Sequence, residues 1–575
     1  MHVDILIRNG KVIDGTGAPP CISDVAIAGN VIVDTGDLRH VEAGKVIDAD
    51  GKVVAPGFID IHTHNDFYVN RDNLPLVFEP FVRQGITTCV TGNCGWGVAP
   101  ITDENRQLFI NTLACNSVSV GKPFEWSSID EFLTYVDRKG PVINMAHLVP
   151  HGPLRIIAMG PRNTFAGPED IKRMKDMLRQ GLEAGCFGFS SGLMYYPGVF
   201  SNTEEIKQLN AVCGEYGGRY STHLRAQCTT FPNAVAEAIE IARYGGTGLQ
   251  ISHFHAKPFL GNKAALFYHM VGVMELINHV VPLPSIPNAA VKKGLEMVDR
   301  ASAEGLDFGM DIVPYIMANT TIMVVFPPWS HIGGTQEFLK RLAGQATWME
   351  IKKDMQNVIP QWPPFGERAW SDNFSRALGW HIIRILSVQT SKNRGLEGMS
   401  VMEIAGKRGI DPWEAARQIT LEEEGMITIR AGFPQRPWIE KFNSSLFAHP
   451  QMSVMSDAIL PEHGQPPQAA YGTFPKFLGH YVRELKLLSM EEAIRKITSL
   501  PAARYGIKGR GMVKKGYFAD IVLFDENAVK DLTTIDNPCV SPDGIEAVII
   551  NGKMVLEGDQ YNAEANAGRV LRKRP

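Results

Sequence analysis

No two of the eight cysteines in this 575-residue chain form a Cys-X-X-Cys pair, and their positions (21, 89, 94, 115, 186, 213, 228 and 539) make no regular framework. Neither a disulfide scaffold nor a structural zinc ribbon is therefore indicated, and a reducing compartment is expected. Charge of one sign is also missing in excess: 57 basic residues stand against 61 acidic ones, a formal net charge of -4. Without a basic footprint, nucleic acid and anionic lipid are not expected partners, and small-molecule chemistry is. The start, Met1-His2-Val3-Asp4-Ile5, lacks the basic segment and long apolar core of a secretory leader, so a cytoplasmic location is expected. Long apolar runs are scarce. One apolar stretch, 262–279, is broken by Glu275, Asn278 and His279 and is too short and too polar at one end for a membrane span of roughly 20 residues.

Short β-branched runs fill the first 55 residues. Ile5-Leu6-Ile7 and Val12-Ile13 flank Asn9-Gly10, and Val25-Ala26-Ile27 and Val31-Ile32-Val33 flank Gly29-Asn30. Such dipeptides accept positive φ at both central positions and predict hairpins. The pattern returns at Val548-Ile549-Ile550-Asn551-Gly552-Lys553-Met554-Val555, after a run at Ala519 to Leu523. Two half-sheets from opposite ends of the chain are expected to join in one small β-sandwich, 1–55 with 508–575, around a body at 56–507. Within the body, candidate strands at 53–61, 86–92, 142–148, 185–190, 218–222, 248–252, 308–313 and 452–456 alternate mostly with amphipathic helices, as in Pro168 to Ala184. Eight such strands predict a (β/α)8 TIM barrel, an α/β fold whose active site lies where the strands end.

Chemistry collects at those ends. In Gly57-Phe58-Ile59-Asp60-Ile61-His62-Thr63-His64, residues two apart in an extended strand point the same way, so His62 and His64 can reach one point and suit a divalent metal. Gly92-Asn93-Cys94-Gly95 follows the second strand, His223 and His253 end the fifth and sixth, and Asp457 follows the last. The bland alternatives are a packed cysteine, hydrogen-bonded core histidines and an aspartate capping a helix.

These residues, with Ser190-Ser191-Gly192-Leu193 to Pro197-Gly198, Thr222-His223-Leu224-Arg225, Ile251-Ser252-His253, Tyr471-Gly472-Thr473-Phe474-Pro475 and Thr498-Ser499-Leu500-Pro501-Ala502, resemble the amidohydrolase superfamily and, more closely, its N-acyl-D-amino-acid deacylase branch. The resemblance implies a tightly bound Zn2+ on Cys94, His223 and His253. It also implies a second, weaker or catalytic set of His62, His64 and Asp457, and no carbamylated lysine. Amide hydrolysis follows, with Asp457 as base and then acid. Candidate substrate contacts are His151, Tyr195, Arg225, His255 and Tyr315; for His151 and His255 an ordinary loop position is the alternative.

Two departures bear on substrate. The branch's carboxylate-binding arginine falls at Ala469, and the lysine expected two residues after His253 is His255, with Lys257 two later. A bidentate clamp is hard to replace. The expectation is a zinc-dependent amidohydrolase cleaving the linear amide of a bulky, apolar N-acyl compound without the usual α-carboxylate. The alternatives are a true N-acyl-D-amino-acid deacylase, a cyclic amidohydrolase or lactonase, and a non-catalytic scaffold. Two insertions border the barrel mouth. Residues 258–288 read as a buried or subunit-facing helix, with membrane contact or an apolar substrate entrance as alternatives. Residues 319–380, holding Trp329, Trp348, Trp362, Trp370 and Trp380 of the chain's nine tryptophans, read as a lid for a large apolar substrate or a protein interface. A homo-oligomer is expected.

Overall fold

The computed structural model describes residues 2–114, 124–284, 288–366, 368–432 and 437–573; Cys115 and residues 285–287 of the first insertion lie outside them. Eight strands in parallel order make the barrel: Phe58–Asp60, Ile86–Thr91, Asn144–His147, Gly188–Gly192, Arg219–His223, Gly248–Ile251, Phe308–Ile312 and Met452–Val454. Hydrogen bonds bridge its two sheets, two backbone ones among them. Phe187 N–H donates to His147 O (2.9 Å), and Asp457 N–H donates to His62 O (3.1 Å), tying the last strand to the first. The helices pack outside, as in Pro168–Glu183 with Ile171, Met174, Leu178 and Leu182 buried.

One reading of the first strand changes. Val53 and Val54 belong to a separate strand, Val53–Pro56, which pairs antiparallel with Ile521–Phe524 from the other end of the chain. The break falls at Gly57, where a Cβ would sit 2.2 Å from Thr87 Oγ1. Through this pairing both ends of the chain enter one nine-stranded sheet, whose halves bury Ile5, Ile7, Val25, Ile27, Ile521 and Ile549 together.

Gly29-Asn30 and Asn551-Gly552 do close two-residue hairpins, with Ala28 opposite Val31 and Ile550 opposite Lys553. Asn9-Gly10 does not. It lies inside one strand, His2–Val12, as a bulge with Asn9 at φ 59° and the register shifting between Ile7 and Gly10. The turn chemistry is the same, but Asn9 N–H donates to Asp24 Oδ1 (2.9 Å) and the chain runs on.

The segment read as a lid belongs to a unit that extends beyond 319–380. Strands Ala318–Thr321, Ile383–Ser387 and Thr428–Ala431 form an antiparallel sheet, and the core above it runs from Ile322 to Ile429. Trp348, Trp370 and Trp380 are buried within that core, so most of the tryptophans hold the lid together. The insertion helix, Ala264–Val280, is not buried: Leu266, Met270, Val273, Leu276 and Val280 on it are exposed. Among the described residues no helix is long and apolar enough to cross a membrane.

Candidate metal centre and active site

His62, His64, Cys94, His223, His253 and Asp457 come together at the C-terminal mouth of the barrel. Cys94 Sγ lies 3.3 Å from His62 Nε2, 3.7 Å from His223 Nδ1 and 3.5 Å from His253 Nε2. Asp457 Oδ1 lies 3.4 Å from His62 Nε2 and 3.3 Å from His64 Nε2. Both histidines lie just beyond the strand Phe58–Asp60, and both face one carboxylate.

Backbone conformation marks the same residues. Cys94, His253 and Asp457 have φ of 54°, 37° and 48°, a region that side-chain-bearing residues rarely adopt unless their surroundings impose it. The glycines beside Cys94 make room for this. Gly95 has φ 66° and packs so tightly that a Cβ would meet Gly192 N at 2.6 Å, while a Cβ on Gly192 would meet Cys94 O at 1.9 Å. The Cys94 loop thus rests backbone to backbone on the fourth strand.

Ligand-atom spacing tests whether a metal fits. A tetrahedral zinc with one sulfur at about 2.3 Å and nitrogens at about 2.0–2.1 Å separates sulfur from nitrogen by about 3.5 Å. The three Cys94 distances bracket that value. Cys94–His223–His253, His62–His64–Cys94 and His62–His253–Asp457 each place their ligand atoms within 4.8 Å of one another.

Electrostatics agree. Burial pushes the Cys94 thiol up, but the charge of His62 and contacts with His223, His253 and His62 hold it well below the usual thiol range. Burial also opposes ionisation of Asp457, yet the charge of His62 and the hydrogen bonds of His62 and His64 keep it well below the usual carboxylate range. Its side chain is 23% exposed, against 0–1% for His62 and His64, so it is the group of that trio open to an incoming molecule.

Other residues hold this arrangement and were not among the expected site residues. Asp311 accepts His253 N–H (2.6 Å) and Gln250 Nε2–H (2.7 Å). Asp60, whose carboxyl burial pushes up to about 7, accepts the backbone N–H groups of Ser456 (3.1 Å) and His62 (3.3 Å), joining the last strand to the first. Gln227 lies 2.8 Å from His253 Nδ1 and accepts a hydrogen bond from Lys257 Nζ (3.1 Å). Aspartates inside barrel strands were the available signal for the first two; Gln227 had none.

A cavity of about 80 Å³ adjoins the cluster, lined by His64, Cys94, His223, His253 and Asp457 and by Tyr195, His255, Lys257 and Tyr315. Its far wall is the lid sheet, through Met317, Val324, Ile383 and Ile429. A smaller chamber of about 50 Å³ shares Trp96, Met194, Tyr195, Thr321 and Val324 with it and continues to Met323, Phe326 and Trp370.

Two expected substrate contacts are elsewhere. His151 Nε2 pairs with Glu205 Oε1 (2.8 Å), which also binds Arg155, in a buried network outside the cavity lining. Arg225 donates through Nε and Nη2 to the Glu237 carboxylate (2.9 Å each), and its side chain is fully buried. Two of its three guanidinium nitrogens are thus held by Glu237. Arg225→Ala leaves Glu237 buried without its partner and is expected to cost about 3–5 kcal/mol, read by denaturant unfolding, without raising KM for any charged substrate.

Over 572 residues the chain is 31% identical to an N-acyl-D-glutamate deacylase of Alcaligenes xylosoxydans xylosoxydans, spanning 99% of this chain and 97% of the relative. It belongs to the N-acyl-D-amino-acid deacylase family. A D-aminoacylase of the same organism is 28% identical across 99% of this chain and 97% of its own length. The model of the amidohydrolase family matches residues 388–556. Among solved structures, the N-acyl-D-glutamate deacylase of Bordetella bronchiseptica, complexed with zinc and a phosphonate inhibitor that mimics the tetrahedral intermediate, superposes with a TM-score of 0.76 at 28% identity, covering 100% of both chains. The protein is accordingly a metal-dependent hydrolase of non-peptide carbon–nitrogen bonds.

Proposed function

We propose that the protein is a zinc-dependent deacylase acting on linear N-acyl compounds with large apolar groups, and that Asp457 moves the proton. Cys94, His223 and His253 would hold the tight zinc, and His62, His64 and Asp457 the weaker set. The observation that carries this reading is the convergence of three imidazoles on the Cys94 sulfur beside one partly exposed carboxylate, with Cys94, His223, His253 and Asp457 facing a single cavity. When bound there, zinc supplies a Lewis acid for the amide carbonyl and lowers the pKa of water towards about 7. Asp457, ionised at neutral pH, accepts the proton of the attacking water and returns it to the leaving nitrogen. His62 and His64, both against Asp457 Oδ1, hold the carboxylate's orientation. Trp96 and Tyr195, with ring centroids 4.2 Å apart, wall the cavity.

Substrate preference follows from the lining. Ala469, at the branch's arginine position, is buried in the Ala469–Lys476 helix, and Arg225 is committed to Glu237. Of the cavity's described lining residues, Lys257 is the one lysine or arginine. Its ammonium is placed by Gln227 and by the ring of Phe374, 5.0 Å away, and burial lowers its pKa. A single desolvated ammonium offsets little of the cost of burying a carboxylate, several kcal/mol. The second chamber favours apolar groups at about 25 cal/mol per Å² buried, and Tyr196, whose hydroxyl is buried without a partner among the described residues, supplies one polar end.

The test compares kcat/KM for an N-acyl-D-amino acid and its uncharged amide. The capped substrate is expected to win by about tenfold, the equivalent of 1.4 kcal/mol. A tenfold preference for the free acid that disappears in Lys257→Ala would instead make this a true N-acyl-D-amino-acid deacylase with its anion site moved.

A further inference from the structure

We infer that the Ala264–Val280 helix is a self-association surface, on which a second copy of this chain docks the same helix antiparallel across a twofold axis near Val273. The inner face of the helix is already committed. Ala264, Val271 and Glu275 are buried, Glu275 Oε1 accepts the N–H groups of Trp438 (2.8 Å) and Ile439 (3.4 Å), and Lys441 Nζ donates to Asn278 Oδ1 (3.3 Å). These contacts fix the rotation of the helix about its axis, and so fix what it shows outward.

That outward face is a heptad seam. Leu266, Met270, Val273, Ile277 and Val280 are 70%, 41%, 55%, 43% and 83% exposed. Their spacing alternates four and three residues, which at 100° per residue keeps them in an arc of about 80°. This is the spacing of a helix that packs against another helix. Leu276 and Val281, 70% and 58% exposed, flank it. Covering the seven side chains would remove on the order of 700 Å² per chain from water, against about 800 Å² per partner in a standard interface. A typical monomer leaves its largest apolar patch at about 300–600 Å².

The composition selects the occupant. Between Ala264 and Pro284 there is no lysine or arginine, whereas helices that lie on anionic lipid carry a basic polar face. A second copy presents a seam of the same spacing with no charge to desolvate. A twofold contact is self-complementary, and Val273, the middle residue of the five, is small enough for close approach at the axis. The helix packs with Phe374 of the cavity wall in one cluster, and Leu260 N–H, just before it, donates to Ala377 O (2.9 Å).

The experiment is sedimentation equilibrium of the zinc-loaded full chain at micromolar concentration, with and without neutral phosphatidylcholine vesicles. The expected mass is twice 63.4 kDa, and Val273→Glu, which sets two carboxylates against each other, is expected to halve it while zinc content and turnover persist. Should Val273→Glu misfold, Val273→Cys decides. On oxidation its two introduced thiols are expected to join in a disulfide recovered as one cross-linked peptide by mass spectrometry. A monomeric wild type, a wild type that leaves solution with the vesicles as a monomer, a dimer that survives Val273→Glu, or Val273→Cys chains that never cross-link at that position would each overturn the assignment.

Discussion

Asp457→Asn is expected to lower kcat by about 10²- to 10⁴-fold, the usual share of a positioned acid–base group, while one zinc per chain remains bound. Asparagine keeps the size of the side chain and its place at φ 48° between His62 and His64, but it carries no negative charge and takes no proton from water. The Cys94, His223 and His253 atoms are untouched by the change, which is why metal content and turnover should separate. The measurement is kcat together with metal per chain on the same preparation. Turnover close to wild type would show that another group moves the proton, and His255, which lines the same cavity and is kept neutral by burial and the nearby Lys257 charge, is the first to examine. Loss of zinc along with activity would instead make Asp457 chiefly a ligand.

Cys94→Ala is expected to remove the tight zinc and abolish activity. Alanine has the same Cβ, so the backbone at φ 54° is no more strained than before, and any loss reports the sulfur alone. That sulfur is the one thiolate amid the three imidazoles and the soft anionic ligand of the set. Removing an outer partner of a ligand costs about 10–100-fold in affinity, and removing the thiolate itself should exceed that. Dialysed protein is expected to hold no stoichiometric zinc and to unfold at a lower temperature than the loaded wild type, because ligand binding to the native state is folding free energy. Full zinc retention in the variant would falsify the assignment of Cys94.

Local physics made much of this molecule legible before any coordinates. The expected convergence of His62 and His64 holds, since both reach Asp457 Oδ1, although the strand itself ends at Asp60 and the backbone bends before His64. Cys94 between two close glycines signals a tight loop, and the loop rests on Gly192. Asn551-Gly552 turns a hairpin because both residues accept positive φ, at 48° and 77°. Asn9-Gly10 shows the limit of the same reasoning. Positive φ at Asn9 is compatible with a turn or a bulge, and Asp24, fifteen residues on, helps select the bulge.

What a side chain does once buried is decided by partners far away in sequence. Arg225 follows two residues after His223 and by position alone could reach substrate; Glu237, on the next helix, takes it. The lid tryptophans could have lined the cavity, yet Trp348 and Trp380 fill a core that exists only because strand Thr428–Ala431 pairs with strands that begin at 318 and 383. Asp311 and Gln227 position His253 across 58 and 26 residues. Sequence by itself pointed to the barrel, to most of its strands and to the residues able to bind a metal, because these follow from local periodicity and from the chemistry of each side chain. Tertiary structure alone decided which charged groups are free to meet a substrate and which apolar face of the Ala264–Val280 helix is left uncovered, because pairing and burial depend on what the rest of the chain brings alongside.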